Sequence, residues 1–369
     1  MKYSILDQIG GLSTDEFIKE YWQKKPFLAK QAFVDFQSPI SADELAGLSL
    51  EDEVNSRLII KSNKRWQVQH GPLPEDTFAH LPDTNWTLLV QHVDSLDPEV
   101  NALLGAFRFI PNWRLDDIMM SYAADRGSVG PHFDYYDVFL LQAEGKRRWK
   151  LGQRCDKDTP LLPDQDMKIL ADFQQEEEYL LEPGDMLYIP PGISHWGIAE
   201  GECTTISIGF RAPSHAELLL EFAQEKASQL DEDQRYRDTN LQVQNSSGEI
   251  KAEVIENIAT LLAELTNNPL ELAETFGKMM TQPNNNVENN CEQLELRADQ
   301  VRLSPYARCA WHEHEQHALL FINGEQWSCS KDLAIQICSY EDILISSLNH
   351  EDKALILSLA DLGVIENHE

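Results

Sequence analysis

The chain has 369 residues, 42% of them hydrophobic, enough for two or three globular domains at about 100–200 residues each. Its 62 acidic and 30 basic residues leave a formal charge of −32, which disfavours nucleic acid or an anionic membrane as the main partner. No run approaches about 18 consecutive apolar residues, which excludes a membrane-spanning helix.

The start, "MKYSILDQIGGLSTDEF", lacks the charged, apolar and small-residue pattern of a signal peptide, so a soluble cytoplasmic protein is expected. Six cysteines, at 155, 203, 291, 309, 329 and 338, form no C-x-x-C pair; they read as reduced, mostly buried thiols. In "STDEFIKEYWQKKPFL", Ser13 and Glu16 form a capping box, and Pro26 follows a lysine pair. This predicts one short amphipathic helix.

From about residue 50 to 212 the text becomes short β-branched and aromatic runs: "SRLIIKS", "RWQVQHG", "WTLLVQHV", "DVFLLQAEGKRRWKLG", "DMLYIPPG" and "TTISIGFRAP". Turn residues between them predict an all-β sandwich or barrel. The sixteen-residue run is expected to be a hairpin turning at Ala143 to Gly145. After Pro213, "HAELLLEFAQEKASQL" and "EIKAEVIENIATLLAEL" place apolar residues at helical intervals. "QPNNNVENN", 282–290, has no periodicity and reads as a linker. Beyond it, "ALLFING" and "EQWSCS" read as strands, and "YEDILISSL" and "DKALILSLADLGVIEN" as helices, a small α+β module of winged-helix type. This last segment is acidic throughout, which argues against phosphate contact. "WHEHEQH", with His312, His314 and His317, reads as an exposed strand or loop, though three histidines also invite a second metal.

The chemistry concentrates in "GPHFDYYDVFL" and "LEPGDMLYIPPGISHWG". On a strand, residues two apart share a face, so His132 and Asp134 point together. Alone, such a pair is as consistent with a hydrogen-bonded strand edge as with a metal site. His195, after a Pro-Pro-Gly turn, supplies a third ligand. Two histidines and one carboxylate on one side of a metal leave three positions open, the arrangement of non-haem Fe(II) oxygenases. Alternation also puts Arg147 with Trp149 on one face and Arg148 with Lys150 on the other, the first pair suiting an interior and the second a wet surface. The same "KRRWK" is also readable as a solvated strand edge.

"PHFD", "LEPGDMLYIPPGISHWG" and "SIGFRAP" resemble the JmjC branch of the cupin superfamily, the Fe(II)- and 2-oxoglutarate-dependent oxygenases. "GSVGPHFDYYDVFLLQAEGKRRWKLG" resembles more closely the bacterial ribosomal oxygenases that hydroxylate an arginine of a large-subunit ribosomal protein. The resemblance spans nearly the whole chain and is strongest over 107–213. It implies an all-β double-stranded β-helix with an N-terminal helical extension (1–213), a helical dimerisation segment (214–281) and a winged-helix-like domain (282–369). It implies Fe(II), 2-oxoglutarate and dioxygen as cofactors, with His132, Asp134 and His195 on the metal. Arg147 stands where the family keeps its basic anchor for the far carboxylate of 2-oxoglutarate, a dianion best met by a bidentate guanidinium. Ser121 matches the assisting hydroxyl, with Tyr122 and Ser207 as competitors.

The implied reaction converts 2-oxoglutarate and dioxygen to succinate and carbon dioxide while a substrate C–H bond is hydroxylated. A guanidinium substrate needs carboxylates and flat aromatic faces, and Tyr135, Tyr136, Asp137, Asp116 and Asp117 offer them. Asp137 could equally cap a loop and the tyrosines belong to the core. The acidic surface suits a basic ribosomal protein, and a homodimer is expected. Histidine hydroxylation and demethylation share the same chemistry. A non-oxidative metal-binding cupin is the different-class alternative, and it would have no need of a buried Arg147.

Overall fold

The computed structural model describes residues 3–62, 65–163, 165–283 and 299–367. Cys291 and residues 284–290 of the expected linker lie outside them. The chain divides into two compact units, Met1–Ala212 and Pro213–Glu369. No helix among the described residues is long and apolar enough to cross a membrane.

The first unit opens with a small hairpin, β1 (Gln8–Ile9) and β2 (Leu12–Ser13), and α1 (Thr14–Glu20). The Ser13–Glu16 capping box is formed. Then come β3 (Phe27–Ala29), α2 (Ala42–Leu48), β4 (Ser56–Ser62), β5 (Arg65–His70), β6 (Trp86–Val90), α3 (Pro98–Leu103) and β7 (Leu115–Ala123). The unit ends with β8 (Val138–Arg154), β9 (Gln175–Leu181), β10 (Met186–Ile189) and β11 (Ile193–Phe210). Strands β3 to β11 form one antiparallel sheet in the order β3-β10-β8-β11-β7-β6-β4-β5, with β9 added alongside β8. This is an all-β core, in keeping with the double-stranded β-helix that the sequence led us to expect.

The two faces of the sheet follow from alternation. Phe139, Leu141, Met186 and Tyr188 join Phe17 and Phe107 in an outer core covered by the N-terminal helices, while Val138, Leu140, Trp149, Leu151 and Leu187 form a second apolar cluster on the other face. Phe139 and Tyr188 lie 4.9 Å apart, and Phe17 meets Tyr188 edge-on at 5.0 Å.

The hairpin expected over 137–152 is instead part of one strand, β8. Its partner β11 follows it end to end, from Val138↔Gly209 to Arg154↔Ile193, and slips register between Glu200 and Thr204. Gly145 has φ +62, and a Cβ there would fall 2.0 Å from Glu202 O. The glycine therefore marks an irregularity that bends both strands together, rather than a turn.

The second unit contains α4 (His215–Ser228), α5 (Ala252–Thr266), α6 (Pro269–Thr281), β12 (Gln300–Leu303), β13 (Cys309–His314), β14 (His317–Ile322) and β15 (Glu325–Cys329). It closes with α7 (Lys331–Cys338), β16 (Ile343–Leu344), α8 (His350–Asp361) and β17 (Ile365–Asn367). The strands make two three-stranded sheets, β16-β12-β17 and β13-β14-β15. "YEDILISSL", expected as a helix, gives β16 and a 3₁₀ turn, because Ile343 and Leu344 pair with Val301 and Gln300. A short apolar run carries no helical signature of its own.

Candidate metal centre

His132 and His195 form a reciprocal antiparallel pair. His132 N donates to His195 O at 3.0 Å, and His195 N donates to His132 O at 2.8 Å. Directly opposed residues share a face, so the two rings meet with centroids 4.2 Å apart. Asp134 is fixed by its own backbone, whose carbonyl accepts from Gly192 N at 2.7 Å. Its Oδ2 lies 3.5 Å from His195 Nε2 and 3.9 Å from His132 Nε2.

The donor set fits a metal in detail. Nδ1 of His132 lies 3.0 Å from Gly130 O, and Nδ1 of His195 lies 3.0 Å from Ile193 O. A carbonyl can only accept, so each Nδ1 carries the hydrogen and each Nε2 turns a lone pair toward Asp134. Burial, followed by the neighbouring His132, pushes the His195 pKa down to about 4, keeping that imidazole neutral. Among the described residues this is the one cluster of three metal-capable side chains. His312, His314 and His317, on the β13–β14 hairpin, make no such group.

Arg147 is 3% exposed. Its Nη1 lies 3.3 Å from Ser121 Oγ and 3.4 Å from Thr205 Oγ1, and its guanidinium rests 5.2 Å from the Trp149 ring. Nε is buried without a partner, packed against Gly197, where a Cβ would sit 2.7 Å away. No carboxylate pairs with Arg147 among the described residues, and a buried cation met only by neutral groups is costly unless an anion completes it. Arg148, by contrast, pairs outward with Glu178 and Glu200.

Ser121 is opposite Thr205 in register. Tyr122 points away, toward Trp86 at 5.5 Å. Ser207 is two residues along β11 from Thr205, on the same face but not hydrogen-bonded to Arg147. Thr205 escaped sequence reading, although the alternation of "TTISIGF" puts it beside Ser207.

Of the expected substrate residues, Tyr136 lies beside the cluster, its hydroxyl against Asp134, and the charge of Asp117 also reaches that hydroxyl. Tyr136 is 43% exposed, and desolvation followed by the Asp134 and Asp117 charges holds its pKa well above the usual tyrosine value. Asp117 is buried on β7, two residues from Met119 and four from Ser121 on the same face. Tyr135 is exposed, its ring edge-on to Phe133 at 5.3 Å. Asp116 accepts from Arg211 Nε at 3.1 Å.

Asp137 must be corrected. It is fully buried and accepts from Tyr188 Oη at 2.6 Å, Arg114 Nη2 at 2.8 Å and Gln23 Nε2 at 3.0 Å. It lies just before β8, against Tyr188 of the outer core, where it ties the N-terminal segment to the sheet.

Comparison with known proteins agrees with this geometry. The JmjC domain family matches residues 102–218, and the AraC-like ligand binding domain matches 173–268. The "Ribosomal protein uL16 3-hydroxylase" of Escherichia coli is 38% identical over 271 residues, covering 73% of this chain and 72% of that protein. The "Probable ribosomal oxygenase" of Haemophilus influenzae is 39% identical over 210 residues, 56% of this chain and 52% of its own. The crystal structure of E. coli ycfD superposes with a TM-score of 0.85 at 31% identity, covering 97% of this chain and 99% of that one. A ribosomal oxygenase structure from the same organism in complex with cobalt and 2-oxoglutarate gives 0.83 at 30%, with 97% and 99% coverage. This chain belongs to the JmjC-domain ribosomal oxygenases, which are metal- and 2-oxoglutarate-dependent dioxygenases.

Proposed function

We propose that this chain hydroxylates an arginine side chain of a basic large-subunit ribosomal protein, using Fe(II), 2-oxoglutarate and dioxygen and releasing succinate and carbon dioxide. The observation that carries the reading is a two-histidine, one-carboxylate cluster in the same barrel as a buried guanidinium that no carboxylate of the described residues neutralises. The relative named as a uL16 3-hydroxylase supports a ribosomal protein as substrate.

His132, Asp134 and His195 would hold the iron through two Nε2 atoms and a carboxylate oxygen. When bound, the iron supplies the dioxygen chemistry that couples decarboxylation of 2-oxoglutarate to C–H hydroxylation. Arg147, helped by Ser121 and Thr205, receives the far carboxylate of 2-oxoglutarate, and Trp149, Leu140 and Leu187 keep that end of the barrel dry. Tyr136 and Asp117 orient the substrate, the carboxylate meeting the guanidinium charge. No general base is required of the protein; its task is holding and positioning.

The formal charge of −32 steers a basic ribosomal protein toward the site and opposes direct binding of ribosomal RNA. We place the activity in the cytoplasm, where ribosomal proteins are made. Leu219 and Leu220 on α4 are 64% and 69% exposed, and Ile255 and Leu262 on α5 are each 55% exposed. Apolar faces of this kind support a homodimer built through residues 214–281, with 282–369 a winged-helix-like portion of the same unit.

The test is mass spectrometry of arginine-containing peptides from basic large-subunit ribosomal proteins, incubated with iron-loaded protein and 2-oxoglutarate. A gain of one oxygen on an arginine is expected. Oxygen on a histidine, or loss of a methyl group, would replace the arginine reading with another member of the same chemistry. Bound metal with no turnover on any peptide would favour a non-oxidative cupin.

A further inference from the structure

Three contacts converge on one oxygen of the buried Asp117 carboxylate. Gln91 Nε2 donates to Oδ2 at 2.7 Å, the backbone N–H of His92 donates to it at 3.3 Å, and His92 Nδ1 lies 3.1 Å from it. Oδ1 receives no hydrogen bond from the described residues. Across from it on β11 is Gly209, where an added Cβ would stand 3.2 Å from Oδ1, so the close approach of this strand depends on the glycine.

His92 is bent to make this contact. Its φ of 56° and ψ of 34° are left-handed, a region that L residues other than Asn, Asp and His seldom enter. In that conformation the N–H and the imidazole of one residue reach the same carboxylate oxygen. Backbone strain of this kind persists where the surroundings over-determine it, commonly beside a functional site.

We propose that His92 is a positioning residue for the substrate: it clamps Oδ2 of Asp117 so that Oδ1 is presented to a substrate cation, and its imidazolium competes with that cation for the carboxylate. The inference rests on the reading of Asp117 as the substrate carboxylate, and adds to it a residue and a pH control.

The charges around His92 support the competition. Asp117 and Asp116 face it from β7, and Asp94 from the 3₁₀ turn that follows it. Beyond Asp117 are the Tyr136 hydroxyl and Arg57 of β4. α3, packed on the same turn, carries Glu99 on its exposed side. Burial acts to lower the His92 pKa, but the hydrogen bond and charge of Asp117, with Asp94 and Asp116, outweigh it and leave it raised. The imidazolium therefore persists to higher pH than that of an ordinary histidine and gives way as pH rises further. An arriving guanidinium brings a second positive charge to the same carboxylate, so binding should expel the imidazole proton.

The experiment is calorimetric binding of an arginine-bearing ribosomal peptide, and of the same peptide with citrulline, to the full chain loaded with Mn(II) and 2-oxoglutarate without oxygen. Wild type, His92→Asn and His92→Ala are compared from pH 6 to 8 in two buffers of different ionisation enthalpy. For wild type, affinity for the arginine peptide should rise about tenfold across this window, with proton release on binding. His92→Asn accepts the left-handed backbone and keeps a donor without a titrating charge; it should bind tightly with a flat profile and no proton release. His92→Ala should bind about five- to thirtyfold more weakly at pH 8, a loss typical of one charge-assisted contact. Coincident pH slopes for wild type and His92→Asn, in a protein that still prefers arginine to citrulline, would overturn the role of His92 alone. No preference for arginine over citrulline in the wild type would remove the cation site, and His92 with it.

Discussion

The guanidinium of Arg147 lies 3.3 Å from Ser121 Oγ inside the barrel, and no carboxylate answers its charge among the described residues. Two neutral hydroxyls, Ser121 and Thr205, are its hydrogen-bonding partners. That makes the site an anion receptor waiting for a dicarboxylate. Arg147→Ala should lower kcat/KM for 2-oxoglutarate by at least about a hundredfold, roughly 3 kcal/mol, and Arg147→Lys should restore part of the loss. Initial rates of succinate release against 2-oxoglutarate concentration would measure both, and calorimetric titration with Mn(II) should show that each variant still binds metal. Near-normal rates in Arg147→Ala would remove the cosubstrate assignment.

Metal binding should be visible in stability as well as in turnover. A ligand that binds only the folded chain stabilises it by about 2.7 kcal/mol at a hundred times its Kd. Mn(II) should therefore raise the melting temperature of the wild type and leave that of Asp134→Ala nearly still. His195→Ala should behave like Asp134→Ala, and chelator should return the wild type to its metal-free value. An equal rise in all three proteins would place the ion elsewhere.

Asp117 and Asp137, twenty residues apart, should fail in opposite ways. Asp117→Asn keeps the shape but loses the charge. It should raise the peptide KM about tenfold or more and leave folding close to wild type. Asp137→Ala strands the nearly buried Arg114 guanidinium and the Tyr188 hydroxyl, so it should cost about 3–5 kcal/mol of stability. Thermal melts paired with peptide kinetics separate the two; a stable Asp137→Ala with a selective defect in peptide KM would return Asp137 to the substrate site.

The contrast between these aspartates shows what sequence can and cannot carry. Alternation along a strand placed Arg147 with Trp149 from local text alone; His132 and Asp134 come together as expected, though outside any strand, with only His132 bridged to His195. Asp137 sits one position beyond Tyr136, and its role depends on Gln23, Arg114 and Tyr188, which reach it from distant parts of the chain. No local pattern announces such a network. The strands β4, β5 and β6 were legible as apolar runs, but β9, "QEEEYLL", hides behind its outward acidic side chains. Gly145 misled for a different reason: glycine punctuates turns and strand bends alike, and only the partner strand decides between them.

Acid stability offers a separate check on the frame around the site. Asp185, in the turn before β10, accepts from Lys30 Nζ at 2.6 Å, Glu182 N at 2.9 Å and Gln31 N at 3.0 Å. Burial favours its protonated form, but these donors outweigh it and the pKa is lowered. A depressed carboxylate pKa contributes stability above the unfolded value, about 3.9, and loses it as pH falls through the folded value. Asp185→Asn should thus be less stable than wild type at pH 7, by roughly 1.5–3 kcal/mol, with the gap closing below about pH 4. A gap that persists unchanged at low pH would mean the carboxylate charge is not what holds this turn.

The most direct test of the whole account is isotope tracing under ¹⁸O₂ with the iron-loaded protein, 2-oxoglutarate and an arginine peptide from a large-subunit ribosomal protein. One labelled oxygen should enter succinate and one should enter the arginine side chain, in matched yield, and omission of the peptide should sharply reduce succinate. Succinate formed at the same rate with and without peptide, and a peptide that gains no label, would contradict it.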